Sequence, residues 1–305
     1  MKEIVIGNSG VRASEISLGV MRIVNLGLKD ACRLLNTAID EGINFFDNAD
    51  IYEDGICEEI FGKAVSETPG LREKILIQTK CGIMPTYYDS SKEHILNSVE
   101  KSLARLKTDY IDFFLLHRPD ALVEPGDVAE AFEALHSSGK VRYFGVSNHN
   151  STQIELLNRY CGNKIMVNQL QFSIVHSGMI DSGLNVNMKI PPSIDRDGSV
   201  MDYCRLNNIT IQAWSPLQYG FLDGSFLGND DFKPLNDKLS ELASIKGTSA
   251  AAVAIAWVLR HPAGIQVVSG TTNESRLKDI CKASTIELTR EEWYGIYMSA
   301  GNELP

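Results

Sequence analysis

The chain has 305 residues, of which 44% are hydrophobic and 22% charged, as expected for a globular protein with a large core. Its formal net charge is -10 and its pI about 5.1, so we expect neither nucleic acid nor an anionic membrane surface as a partner. No leader or membrane-spanning run is evident, which predicts a cytoplasmic protein. The six cysteines show no CxxC or Cys/His spacing, so we expect no metal site.

The chain begins with a short apolar run, 3–6 (EIVI), and a turn, 7–10 (GNSG), which predict a small N-terminal β-hairpin. Apolar runs of strand length recur after this hairpin. These runs lie at 14–20, 42–49, 74–80, 109–117, 141–147, 164–171, 209–215 and 264–270. They predict eight successive strands.

Amphipathic stretches separate the predicted strands, and several begin at Ser or Asp and end at Gly, as helices do. Examples are 30–42, 90–106, 127–139, 151–162 and 249–261. Eight strand–helix units in about 300 residues predict an α/β fold of the TIM (β/α)8 barrel class, preceded by the short hairpin. A doubly wound sheet is the alternative, but no GxGxxG follows the first strand.

The domain organisation follows from the same pattern. No linker, low-complexity tract or charge block divides the chain, so we expect one barrel domain over residues 1–305. The least regular segment is 175–192, which predicts a functional loop after the sixth barrel strand.

Five of the predicted strands end in polar side chains. These are Asp47, Lys80, His117, Ser147 with Asn148, and Gln169. Polar groups at the edge of a core cost free energy unless they are paired or used. Because active sites of TIM barrels lie at the carboxyl ends of the strands, these side chains predict one shared site.

Several ordered motifs resemble those of the aldo/keto reductases over nearly the whole chain. They are GINFFDNADIY (42–52), QTKCG (78–82), LLHRPD (115–120), GKVRYFGVSN (139–148), VNQLQFS (167–173), AWSPL (213–217) and VVSGTTNESR (267–276). The resemblance implies an NADP(H)-dependent oxidoreductase that reduces a small-molecule aldehyde, ketone or quinone to an alcohol. It also implies that Asp47, Tyr52, Lys80 and His117 form the catalytic tetrad.

The tetrad makes chemical sense. Carbonyl reduction needs a hydride on carbon and a proton on oxygen. Tyrosine, with a pKa near 10, is a weak acid, and we expect the Lys80 ammonium to lower the pKa of Tyr52. A buried lysine keeps its charge beside a carboxylate, which Asp47 supplies. His117 could hydrogen-bond and orient the substrate carbonyl.

Each tetrad residue also has a structural interpretation. Asp47 could simply close a turn, Lys80 could extend its ammonium to solvent, Tyr52 could be a surface aromatic, and His117 could be a buried core histidine. Two other function classes stay open. One is a nucleotide-binding regulatory subunit that acts as a redox sensor, and the other is a lyase that forms a Schiff base on Lys80.

The resemblance also implies a binding site for the nicotinamide half of the cofactor. Ser147, Asn148 and Gln169 would bind the carboxamide, which needs both donors and acceptors. Trp214 would stack on the ring, where many members have tyrosine. The loop that crosses the pyrophosphate would include Ser215, Leu217 and Gly220, within a stretch that continues through 219–224.

The other half of the cofactor would lie against the segment after the last strand. The implied residues there are Ser269, Gly270, Thr271, Thr272 and Arg276, together with the start of a helix near Asn273. This set favours NADPH over NADH. The sequence departs from many members at Gly270, where they have a lysine, so one cation is missing at that position.

The substrate pocket is less defined. Met21 and Arg22 are expected to line the cofactor and substrate sites, together with Arg118 and the 175–192 loop. The two arginines could attract an anionic carbonyl compound or simply bridge surface carboxylates. The last predicted helix, 290–302, is followed only by ELP, which predicts an open pocket. We expect a monomer or a small homo-oligomer.

Overall fold

Eight parallel strands close into a barrel in the computed structural model, which describes residues 1–220 and 223–305. The barrel strands, in chain order, are β3 (Ile16–Gly19), β4 (Phe45–Asp47), β5 (Leu76–Cys81), β6 (Ile111–Leu116), β7 (Val141–Ser147), β8 (Ile165–Gln171), β9 (Thr210–Trp214) and β10 (Gln266–Ser269). Each strand pairs with its neighbours along the chain, and β10 returns to β3. The predicted TIM barrel is therefore confirmed.

The N-terminal hairpin closes one end of this barrel. Its strands are β1 (Glu3–Val5) and β2 (Arg12–Ser14), which pair antiparallel. Side chains from the hairpin join a buried apolar cluster with side chains from the barrel strands. This cluster contains Ile6, Ala13, Phe45, Phe113, Leu115 and Val167. The predicted hairpin is confirmed, and it seals the end of the barrel at which the strands begin.

Helices surround the barrel. They are α1 (Leu28–Asp40), α2 (Ile56–Ser66), α3 (Lys92–Leu106), α4 (Pro125–Ser137), α5 (Ser151–Tyr160), α6 (Gly178–Leu184), α7 (Val200–Leu206), α8 (Lys233–Lys246), α9 (Ala250–Leu259), α10 (Glu274–Cys281) and α11 (Arg290–Ser299). Short 3-10 turns lie between some of them. The helices predicted from periodicity lie within a few residues of these bounds.

Local sequence explains where several helices begin. Asn150 and Gln153 form a capping box at the start of α5, and Thr289 and Glu292 form another at the start of α11. The prediction of an irregular loop at 175–192 is wrong for residues 178–184, which form α6. Glycine and serine in that stretch weaken the helical pattern, and none of the α6 residues is fully buried, so the sequence carries little apolar periodicity there.

No single helix among the described residues has both the length and the apolar content to cross a membrane. One pair, Asp230–Lys246 with Ala250–Leu259, meets those limits jointly, by length and composition only, across a bend of 94°.

Candidate active site

The polar side chains predicted at the strand ends lie at one end of the barrel. Asp47 is the last residue of β4, Lys80 lies near the end of β5, and His117 directly follows β6. Ser147 ends β7 and pairs in register with Gln169 of β8. Because the strands are parallel, their carboxyl ends share one rim of the barrel. The barrel therefore brings these residues to a common site.

Lys80 is the centre of this site and is completely buried. Its Nζ lies 2.8 Å from Asp47 Oδ1 and donates to Asp47 Oδ2 at 2.9 Å. It also donates to the carbonyl oxygen of Asn48 at 2.7 Å and to the Tyr52 hydroxyl at 3.2 Å. The three hydrogens of the ammonium thus all have acceptors, and its charge is paired, which a buried cation requires.

The Lys80 side chain stays charged at neutral pH. Burial lowers its pKa, but the Asp47 carboxylate and the Tyr52 hydroxyl raise it by more, so the pKa lies above the ordinary lysine value of 10.5. The site therefore holds a permanent ammonium within hydrogen-bond distance of a phenol. This cation is available to stabilise negative charge on the Tyr52 oxygen.

A left-handed turn of the backbone directly follows Tyr52. Glu53, Asp54 and Gly55 have φ values of 48°, 51° and 90°, so three consecutive residues adopt left-handed backbone. Such a conformation costs about 1 kcal/mol or more for a residue with a side chain. The turn leads directly into α2 and leaves the Tyr52 hydroxyl beside Lys80.

The pKa of Tyr52 does not follow the sequence-based expectation. Burial raises this pKa, and the Asp47 charge raises it further, while Lys80 lowers it. The net shift is upward from the ordinary value of 10.0, so the expected lowering is wrong for the site as the structure shows it. Desolvation of the phenolate outweighs the attraction of the ammonium. Tyr52 is therefore fully protonated at neutral pH and holds a proton to give.

The His117 ring contacts the ring of Tyr52. The two rings meet edge to face, with centroids 5.9 Å apart and an interplanar angle of 81°. Its Nδ1 is buried and has no hydrogen-bond partner within the described residues. Burial, together with the charges of Lys80 and Arg118, holds the pKa of His117 well below its usual range. The ring is neutral, with one nitrogen that donates and one that accepts.

Four residues assigned to the nicotinamide end form one connected group. Ser147 Oγ donates to the backbone carbonyl of Gln169 at 2.9 Å, and Asn148 Nδ2 donates to Ser147 Oγ at 2.8 Å. Trp214 Nε1 donates to Asn148 Oδ1 at 3.2 Å. Gln169 Nε2 donates to Asp47 Oδ1 at 3.0 Å. The group therefore connects directly to the Asp47–Lys80 pair.

A cavity of about 370 Å³ opens beside this group. Its lining includes Arg118, Asn148, Gln171, His176, Arg196 and Trp214. Arg118 was predicted to line the substrate pocket, whereas Arg196 lies beyond the 175–192 segment and was missed. The chain beyond α6 folds back far enough to bring Arg196 and Val200 to the cavity wall. No periodic signal in the sequence marks that return.

Arg22 and Gly270 lie together on a different part of the rim. Arg22 Nη1 donates to the Gly270 carbonyl at 3.4 Å. A Cβ atom added to Gly270 would lie 3.0 Å from the same nitrogen. The guanidinium of Arg22 therefore occupies the space that a larger side chain at position 270 would need. Met21, its neighbour, accepts a hydrogen bond from Cys57 Sγ through its backbone oxygen at 3.2 Å.

The segment after β10 leads into α10. Ser269 is buried, and its Oγ has no hydrogen-bond partner in the described part of the chain. Thr271 and Thr272 are half-buried, and Arg276 is exposed in the first turn of α10, which Asn273 caps. Glu274 is the only acidic residue of that turn. Its carboxylate accepts hydrogen bonds from Arg33 and Thr37 of α1, both at 3.0 Å.

The loop after β9 was predicted to cross the pyrophosphate. Ser215 has a φ of 50° and its hydroxyl donates to the Gln218 side chain. The Leu217 carbonyl accepts from the Phe226 backbone at 3.2 Å, and the Gly220 carbonyl accepts from Gln171 Nε2 at 2.9 Å. Two residues of the predicted 219–224 stretch, 221 and 222, lie outside the described residues.

One contact of Asp47 was missed from the sequence. Gln78 Nε2 donates to Asp47 Oδ1 at 2.6 Å, the shortest hydrogen bond that this carboxylate makes. Gln78 lies two residues before Lys80 on β5. Because alternate residues of a strand face the same side, that spacing placed Gln78 inside the barrel, and it is the signal that could have found it.

The chain is similar to known proteins over almost its full length. The model of the aldo/keto reductase family matches residues 15–297. The uncharacterized oxidoreductase YcsN of Bacillus subtilis is 38% identical, with 96% of each chain covered. A 6-dehydroglucose reductase of Novosphingobium aromaticivorans is 34% identical over 98% of this chain and 96% of its own.

A solved structure leads to the same family. The thermostable aldo-keto reductase Tm1743, crystallised with the inhibitor epalrestat, superposes with a TM-score of 0.79 at 26% identity, over 98% of this chain and all of that one. The family model spans most of the chain, and two relatives are more than 30% identical to it, so the sequence and the fold indicate the same family. The chain belongs to the aldo/keto reductase family of oxidoreductases.

Proposed function

We propose that this protein reduces a small-molecule carbonyl compound to an alcohol with NADPH, and that Tyr52 donates the proton. The observation that carries the proposal is the buried Lys80 ammonium, which contacts both Asp47 and the Tyr52 hydroxyl. A protonated phenol beside a fixed cation is an acid whose conjugate base is stabilised when the proton leaves. The neutral His117 ring meets the Tyr52 ring edge to face.

The residues on the rim fit a nicotinamide dinucleotide. Ser269 Oγ is buried without a partner in the described part of the chain, and Gly270 lies under the Arg22 guanidinium. Both features suit a polar, anionic ligand. Gln169 uses its Nε2 for Asp47 and Gln212, so only its oxygen is left for a carboxamide. Asn148 Nδ2 retains a second hydrogen to donate.

The coenzyme would supply the hydride to the carbonyl carbon. Tyr52 would transfer its hydroxyl proton to the carbonyl oxygen, so that the alcohol leaves neutral and the phenolate remains. Lys80, 3.2 Å away, would stabilise that phenolate until solvent returns the proton. His117 would donate a hydrogen bond to the carbonyl oxygen and orient it toward Tyr52. Asp47 would keep Lys80 charged and in place throughout.

We infer a preference for NADPH from the cations near the adenine end. Gly270 lacks the lysine that many family members have there, but Arg22 brings a guanidinium to the same position from the loop after β3. Arg276 is exposed at the beginning of α10, whose N-terminal end attracts anions. Two arginines and this helix end would bind the additional phosphate of NADPH.

We further propose a hydroxylated or anionic carbonyl compound as the substrate. The cavity next to Trp214 has Arg118, Arg196 and His176 in its wall, and these side chains suit hydroxyl or carboxylate groups better than an apolar chain. The sugar aldehyde that names the Novosphingobium relative is the first compound to test. The enzyme would act as a single-domain cytoplasmic protein, as a monomer or a small homo-oligomer.

The test is the rate of NADPH oxidation with a panel of sugar aldehydes, simple aldehydes, ketones and quinones. Tyr52→Phe should lose on the order of a thousandfold in kcat and still bind NADPH. Tyr160→Phe is the matched control, because Tyr160 is 58% exposed at the end of α5. If wild type binds NADPH and turns over no carbonyl, the regulatory redox-sensor function replaces this proposal.

The structure gives less support to a lyase. Schiff-base chemistry needs an unprotonated amine with access to substrate, whereas Lys80 is buried, fully hydrogen-bonded and has a raised pKa. Borohydride trapping with each carbonyl of the panel should therefore leave Lys80 unmodified. Covalent labelling of Lys80 would instead favour the lyase.

A further inference from the structure

The interior of this barrel is polar at its middle. Gln78, Gln169, Gln212 and Gln266 come from four different strands, and each is at most 3% exposed. TIM barrels usually fill this space with branched apolar side chains. A buried amide costs free energy unless its donors and acceptors are paired. So many glutamines in one barrel interior therefore point to a specific role.

Three of these glutamines, Gln78, Gln169 and Gln212, form a closed ring of hydrogen bonds with Asp47. Gln78 Nε2 donates to Asp47 Oδ1 at 2.6 Å and to Gln212 Oε1 at 2.8 Å. Gln169 Nε2 donates to the same two oxygens, at 3.0 Å and 3.1 Å. Gln212 therefore accepts from the two amides that hold the carboxylate. Asp47 Oδ1 receives both of them in addition to Lys80.

The bonds that Gln212 and Gln266 make next determine which atom donates and which accepts in this ring. Gln212 Nε2 donates to Gln266 Oε1 at 2.8 Å, and Gln266 Nε2 donates to the Ser14 carbonyl at 2.8 Å. A backbone carbonyl only accepts, as does the Asp47 carboxylate at the other end. With an acceptor at each end, only one orientation of each amide places a donor against every acceptor along the chain.

We propose that Gln78 and Gln212 are positioning residues for the reaction, acting through Asp47 and Gln169. Gln78 donates to the carboxylate that pairs with Lys80. Gln212 accepts one amide hydrogen of Gln169, and Asp47 accepts the other, so that the Gln169 oxygen is presented to the coenzyme carboxamide. This inference rests on the proposed reductase function, because it assigns Asp47 and Gln169 their roles. It assigns a role to Gln78, which stands in the QTKCG motif without one, and to Gln212.

The first test compares Gln78→Met with Thr79→Val. Methionine fills the space of glutamine without its donors. Gln78 Oε1 is already buried without a partner in the described part of the chain, so replacing this oxygen breaks no hydrogen bond. Thr79 is the control, because it is the next residue on β5 and is equally buried. Its side chain points to the outer face of the strand, where its hydroxyl donates to Glu58 of α2. Both variants remove a buried hydrogen-bonding group from the same strand.

We expect kcat to fall on the order of 10- to 100-fold in Gln78→Met, because the reacting groups are misplaced, with the dissociation constant of NADPH within about threefold of wild type. Thr79→Val should lose stability and keep its kcat. Gln212→Met should lower kcat and also weaken NADPH binding, because it frees Gln169. A kcat within twofold of wild type in both glutamine variants would overturn the proposal.

A second measurement does not depend on turnover. In 15N-labelled protein, the side-chain amide signals of Gln169 should shift and exchange faster with solvent when either Gln78 or Gln212 is replaced. Unchanged Gln169 signals in both variants would also overturn the proposal. If wild type reduces no carbonyl but these signals respond, the hydrogen-bond chain stands and the proposed reaction fails, so the two conclusions separate.

Discussion

The Asp47–Lys80 pair should show strong energetic coupling, and three variants measure it. Asp47→Asn removes the negative charge and keeps an oxygen that can accept from Gln78 and Gln169. Lys80→Met removes the positive charge and keeps an unbranched side chain of similar shape. The double variant removes both charges from a site in which Lys80 is completely buried and Asp47 is 2% exposed.

The expected magnitudes follow from burial. Removing one partner of a buried ion pair costs about 3–5 kcal/mol, whereas replacing both by neutral groups is often neutral or stabilising. Asp47→Asn leaves an ammonium whose remaining acceptors, including the Asn48 carbonyl and the Tyr52 hydroxyl, are all neutral, so it should show the full loss. The double variant should recover at least about 2 kcal/mol of that loss and remain catalytically inactive.

Urea unfolding at pH 7 provides the free energies, and its pH dependence provides a second check. In wild type the folded pKa of Lys80 is raised, so its contribution to stability is fully present below about pH 10.4 and lost as pH rises through the folded value. In Asp47→Asn the carboxylate that raises this pKa is gone, so we expect burial to depress it. The unfolded state then binds more protons, and stability should rise with pH toward about 10.

The exposed pair Lys92–Glu130 is the control, with its atoms 2.7 Å apart and side chains 44% and 66% exposed. The same cycle there should give a coupling of about 1 kcal/mol or less, because solvent screens the charges. Additive losses at Asp47 and Lys80, with a double variant as unstable as the sum of the singles, would refute the reasoning.

Three further predictions concern other parts of the site. The titration midpoint of the His117 ring, followed by NMR, should lie well below the usual histidine pKa of 6.5, because burial and the charges of Lys80 and Arg118 disfavour the protonated ring. A midpoint at or above 6.5 would show that the ring is more solvated than the structure indicates. Arg22→Ala should weaken NADPH binding about tenfold or more and leave NADH binding unchanged. Adding Gly270→Lys to this variant should restore the affinity for NADPH, because loss of the Arg22 guanidinium clears the space above Gly270. Equal losses of affinity for both nucleotides would contradict the assignment of Arg22 to the additional phosphate. Cys81 is fully buried with its pKa raised well above 9.0, so thiol reagents should label it only on unfolding, and rapid labelling of the native protein would argue against this burial.

The fold could be predicted from the sequence because each element carries its own periodic signal. The strand runs are apolar and end in polar residues, which fixes both the barrel and the end that bears the site. Segment α6 was missed, because a short helix without fully buried residues leaves no apolar stripe in the sequence. The return of Arg196 to the cavity was also missed, because it depends on the tertiary path of a long connection.

The electrostatics of Tyr52 could not be predicted, because they depend on a balance that the sequence does not show. The residue types predict an ammonium beside a phenol, and the structure does place Lys80 there. The sign of the pKa shift depends on how far the phenol is desolvated, and here burial is the largest contribution. The left-handed residues Glu53 and Asp54 were equally hidden, since glycine is the residue that usually marks such backbone.

The two ends of the barrel interior divide stability from chemistry. At the end where the strands begin, Phe45 and Phe113 pack 5.4 Å apart between ring centroids, under the hairpin residue Ile6. That apolar seal keeps water from entering below, so the amides above it bond to one another. An ion pair in such a dry environment is held by strong and directional interactions. The glutamine chain therefore lies between an apolar base, which stabilises the fold, and the Asp47–Lys80 pair, whose geometry it fixes.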